Sequence, residues 1–87
     1  MNYIQDRFFH QFDVASDTLA MAAAARNSQE LLYYVNKAAF AMGAVCELGE
    51  ILVSEGFLLP EEAAGLMRQL RLKENAELAK LKRILGE

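Results

Sequence analysis

Catalysis and metal binding each need particular side chains at particular spacings, and this 87-residue sequence offers few of them. Its one thiol is Cys46 and its one imidazole is His10. A nucleophile must lie within hydrogen-bond reach of a base, and these two fall in different expected helices. Cys46 stands in an apolar row, which predicts a buried structural thiol and not a reactive one. His10, between Phe9 and Gln11, reads as a solvated or hydrogen-bonded helix residue. Glu47 and Glu50 are spaced i, i+3, yet no Glu-x-x-His pair accompanies them, so a di-iron carboxylate site has no second half. One cysteine and one histidine do not make a zinc set. Gly43 and Gly49 lie inside a helical pattern and form no phosphate-cradling loop. The expectation is a protein that is not an enzyme and has no cofactor and no metal.

The chemistry that is present is that of surfaces. Hydrophobic residues make up 54% of the chain and the single proline is Pro60, a composition that excludes disorder and leaves little turn chemistry for β-hairpins. Apolar positions in residues 2–26 recur at helical spacing as Ile4, Phe8, Phe12, Ala15, Leu19 and Ala22, with Phe9 and Val14 widening the stripe. Asn27, three residues before Glu30, predicts a capping box at the start of a second helix over 28–55. In that helix Leu31, Val35, Ala38, Met42, Val45, Gly49 and Leu52 keep an unbroken four-three alternation. Two more apolar rows flank it, Leu32, Ala39, Cys46 and Val53 on one side and Tyr34, Ala41 and Leu48 on the other. Gly56 is placed as a helix C′ residue, and Pro60 followed by Glu61 and Glu62 opens a third helix over 60–85. Its stripe starts with Ala63, Met67 and Leu70 and ends with Leu78, Leu81 and Leu85. Arg71, Lys73, Glu74, Asn75 and Glu77 interrupt it, which predicts a middle more exposed than either end. Short joins favour antiparallel neighbours. The fold class is therefore all-α, one domain, an antiparallel bundle of three helices expected to be completed by oligomerisation.

That last expectation comes from the second helix, which is apolar over more of its circumference than two neighbours cover. The residues assigned to an interface are Tyr33, Tyr34, Ala41, Gly43, Leu48 and Gly49. Tyr33 is a large amphipathic ring with no row of its own to join. Gly43 and Gly49 each cost about 1 kcal/mol relative to alanine inside a helix, a cost usually offset by close backbone packing. Charge is uneven. Residues 1–67 carry Arg7, Arg26 and Lys37 against nine acids, a net of −6, whereas residues 68–87 carry six bases against three acids, a net of +3. Arg68, Arg71, Lys73, Lys80, Lys82 and Arg83 are thus the candidate contacts to nucleic acid, although bases near a helix C-terminus also compensate the helix dipole.

Three stretches, Ala24-Ala25-Arg26-Asn27-Ser28, Glu30-Leu31-Leu32 and Ala41-Met42-Gly43-Ala44-Val45-Cys46-Glu47-Leu48, followed by Gly56-Phe57-Leu58, resemble the bacterial four helix bundle family. That family comprises the proteins encoded in ribosomal RNA intervening sequences and the accessory variability determinant of diversity-generating retroelements. The similarity covers about residues 20–85, and Ala44 stands where the family has serine. It implies helical bundles assembled into a ring-like oligomer and, for the retroelement members, binding of a polymerase and nucleic acid through a basic surface.

The longest apolar run, Ala38 to Cys46, is far short of the ~20 residues that span a bilayer, and no basic segment leads into an apolar one near Met1. The expected address is cytoplasmic, with Cys46 reduced. The leading functional expectation is an oligomeric interaction protein that also has a protein partner, for instance a small phage or mobile-element regulator that binds and blocks a host protein. The alternative is a nucleic-acid-binding accessory protein using the basic third helix.

Overall fold

A computed structural model describes residues 2–86 as three α-helices, α1 (Tyr3–Ala23), α2 (Ser28–Ser54) and α3 (Pro60–Ile84). The starts of α1 and α2 lie where an asparagine side chain accepts from their first orphan N–H groups. Asn2 Oδ1 accepts from Ile4 N at 2.7 Å and Gln5 N at 3.1 Å, while Gln5 Oε1 accepts from Asn2 N, a complete capping box on α1. At α2 only half of the expected box forms. Asn27 Oδ1 accepts from Glu30 N at 2.9 Å, but the Glu30 carboxylate turns to Arg26, 3.8 Å from its Nε. Pro60 begins α3, and Glu62 accepts from Leu59 N at 3.0 Å. The turn out of α2 needs a left-handed residue: Gly56 has φ of 80°, Phe57 N donates to Leu52 O, and Gly56 N donates to Val53 O. This is the Schellman arrangement, and it swings Leu58 back against the core.

The helices run up, down and up, with principal extents of 45 × 20 × 15 Å. Phe8, Leu19, Val45, Leu52 and Leu70 are fully buried in one cluster with Ala15, Ala38, Ala41 and Met42. A smaller cluster at the other end joins Ala22, Leu31 and Val35, with Leu81 packed on it. The α1 stripe and the main α2 seam are thus the core, as their spacing predicts, and α1 and α2 make the larger helix pair. Phe9, expected to widen the α1 stripe, is exposed.

Helix α3 departs from its expected pattern. Its two buried residues, Leu70 and Glu77, lie in the middle, whereas Leu78, Ile84 and Leu85 near its end are exposed. Continuing the four-three spacing from Ala63 through Met67 and Leu70 gives Glu74, Glu77 and Leu81, so the inward seam passes through two carboxylates and bypasses Leu78. Glu77 is only 7% exposed. Lys80 Nζ lies 2.7 Å from its Oε1, an ion pair whose angles fall outside those of a hydrogen bond, and also donates to Ala23 O at 3.4 Å. One residue thus links the α3 carboxylate to the C-terminal end of α1.

Candidate interaction surface

Glycine positions show where backbones approach. A Cβ at Gly49 would stand 3.2 Å from Phe8 Cε1, so this glycine admits the aromatic ring of α1. Gly43 has nothing within 4 Å of its would-be Cβ. The tight crossing within the chain is therefore at Gly49, and Gly43 opens onto the solvent side of α2.

That side carries large exposed apolar side chains among its polar ones. Phe40 is 84% exposed and Tyr33 56% exposed, with Ile51 and Leu32 also exposed. Tyr33, Lys37, Phe40, Ala44, Glu47 and Ile51 follow one another at steps of four and three, a second heptad seam turned roughly opposite the buried one. The Tyr33 ring packs edge-on against Tyr34 with centroids 5.1 Å apart, and Lys37 Nζ lies 5.5 Å from the Tyr33 centroid. These contacts leave Tyr33 more than half exposed. Among the described residues the ion pairs are Arg26 with Glu30 and Lys80 with Glu77, so Lys37, Glu47 and Glu50 have no opposite charge at salt-bridge distance.

The residues assigned to an interface from sequence therefore divide. Tyr33 and Gly43 face outward, Tyr34 and Leu48 are half-buried against the chain's own core, and Ala41 and Gly49 are buried inside it. Ala41 and Gly49 are covered by the chain's own core, Gly49 by Phe8 of α1. Phe40 and Ile51 stand exposed on the outward face instead. Their signal was present in the spacing from Tyr33 to Ile51, but the stronger seam beginning at Leu31 masked it.

A second apolar feature runs between α2 and α3. Leu32, Ala39 and Cys46, expected to be covered, are exposed, so the thiol is not a buried structural one. Cys46 borders an open groove of about 380 Å³ lined by Phe8, Gly49, Val53, Ala63 and Met67. His10 is exposed, and among the described residues no three His, Cys, Asp or Glu side chains gather to hold a metal ion. No family model, curated protein or solved structure matches this chain. Its surfaces must be read from their own geometry.

The basic residues of α3 do not converge on one face. Lys73 donates to Ser16 Oγ at 3.4 Å and Lys80 is engaged with Glu77 and Ala23, both on the flank toward α1. At about 100° per residue, Arg68 and Lys82 project from the other flank, with Arg71 nearer them than Lys73. No helix is long and apolar enough among the described residues to cross a membrane.

Proposed function

We propose that this chain is a non-enzymatic, oligomeric helical interaction module whose working surface is the outward face of α2. The observation that carries this reading is Phe40. A phenylalanine left 84% exposed on a helix, with Tyr33 and Ile51 about two and three turns away on the same seam, is an exposed apolar feature of the kind that marks a protein contact. The core does not need it, since α1 and α3 already cover the inward seam of α2. A cytoplasmic setting, and a role as a small phage or mobile-element regulator that blocks a host protein, are compatible forms of this module. Nucleic-acid binding is the weaker reading, because the α3 bases are split between two flanks and two of them are engaged within the chain. The same division argues against importing a polymerase-binding basic surface from the four helix bundle resemblance.

The test is the mass in solution. Light scattering at micromolar to millimolar concentration is expected to give a multiple of 9.7 kDa. A mass that stays at the monomer value throughout overturns the oligomeric part. Saturable binding to labelled RNA or DNA at about 150 mM salt, lost when Lys80, Lys82 and Arg83 become glutamine, would make nucleic acid the partner instead.

A further inference from the structure

The outward seam of α2 is complementary to a reversed copy of itself. Its six positions are Tyr33, Lys37, Phe40, Ala44, Glu47 and Ile51, and they are symmetric about residue 42. Reversing one copy and laying it on another at that centre sets Tyr33 opposite Ile51, Lys37 opposite Glu47, and Phe40 opposite Ala44. Each match is complementary in the sense that matters at its position. A large ring meets a branched aliphatic, a cation meets an anion, and the most exposed ring meets the smallest side chain of the seam. Gly43, with open space above it, lies beside the centre where two helices approach most closely.

From this we infer that the occupant of the α2 face is a second copy of the chain, docked antiparallel through a two-fold axis at the level of Met42, with each Lys37 paired to the opposite copy's Glu47. This rests on the interaction reading above and names its partner. A two-fold contact uses the same patch on both copies, so every favourable match occurs twice. Charge supports this register. Lys37 is the one base on the outward seam and Glu47 its one acid, neither has a salt-bridge partner within its own chain among the described residues, and a parallel in-register pairing would set like charges together. The ring of Phe40 has no pocket in its own chain, and the small side chains at Ala44 and Gly43 of the opposing helix leave room for it. Back-to-back docking on this seam leaves α1 and α3 on the outside of the dimer.

The experiment uses the full chain with Cys46→Ser, so that only introduced thiols react. Cysteines at both Lys37→Cys and Glu47→Cys are expected to oxidise into a covalent dimer in high yield. Lys37→Cys alone is expected to stay uncrosslinked, because the two copies of position 37 lie about 15 Å apart along the helix axis in this register. Without added cysteines, Phe40→Glu is expected to raise the dimer dissociation constant at least about 30-fold. Lys37→Glu is expected to raise it about tenfold, with Lys37→Glu/Glu47→Lys restoring it. All these residues except Ala44 are exposed, and helical circular dichroism of each variant shows that the fold is kept. A dimer that crosslinks through Lys37→Cys alone, or that ignores Phe40→Glu and the charge exchange, overturns this register and leaves the oligomeric reading standing. A chain that remains monomeric at every concentration overturns both.

Discussion

Helix α2 carries two heptad seams that differ little in spacing and greatly in fate. The one from Leu31 to Leu52 is buried, with Val45 wholly excluded from solvent, while the one from Tyr33 to Ile51 is exposed and holds the most exposed phenylalanine of the described residues. Both would bury a helix face if a neighbour were supplied. The difference is one of supply: three helices give α2 two neighbours, and these take the seam in which no charge interrupts. The outward seam includes Lys37 and Glu47, which a single chain leaves in water and a second copy can pair. The comparison teaches that hydrophobic periodicity identifies a surface that can be covered, while the number and placement of neighbours determine what covers it.

Truncating one residue from each seam is expected to give the largest difference. Leu52→Ala is expected to lose about 3 kcal/mol in urea unfolding, because a fully buried leucine leaves a cavity. Phe40→Ala, measured at a concentration where the chain is monomeric, is expected to stay within about 0.5 kcal/mol of the parent. Equal losses would mean that the outward seam supports the fold of one chain.

The two glycines offer a second contrast. Gly49→Leu is expected to cost about 2 kcal/mol by driving a side chain into Phe8. Gly43→Ala is expected to gain about 0.5 to 1 kcal/mol for the monomer, since it improves helix propensity and meets open space. Thermal melts of the dilute proteins distinguish them, and a stabilised Gly49→Leu would remove the close crossing from the account.

A third test concerns the inward seam of α3, where Glu77 occupies a position that α2 fills with an aliphatic. Glu77→Leu is expected to raise stability by about 1 kcal/mol, because an apolar side chain replaces a desolvated carboxylate while Lys80, partly exposed, extends into water. A destabilised Glu77→Leu would show that the link from Glu77 through Lys80 to Ala23 O holds α3 against α1. Chemical denaturation with the parent as reference decides this.

Much of the fold was legible from residue types at fixed intervals. The three helices, their order, the Asn27 cap, the Gly56 turn, the Pro60 start and the buried stripes of α1 and α2 all follow from local rules, and the structure agrees with them to within three residues at helix ends. These features depend on steric limits and hydrogen-bond needs within a few residues of each site. The errors share a different origin. The apolar row of Cys46 points to burial although the thiol is exposed, the helix cost of Gly43 points to a close crossing although no helix of its own chain lies over it, and the charges of α3 point to a wet middle although Leu70 and Glu77 are buried there. Each depends on which helix lies beside it.

Chain stiffness and hydrophobic periodicity are local properties, so residue order alone fixes the set of amphipathic helices and the turns between them. The packing of the three helices selects Gly49 and not Gly43 to receive an aromatic ring, buries Glu77 beside a partly exposed Lys80, and leaves Phe40 uncovered. The physical reason is packing. Side chains interlock across helices at distances of a few ångström, so the rotation and height of α1 and α3 against α2 select among faces that the pattern alone leaves nearly equivalent.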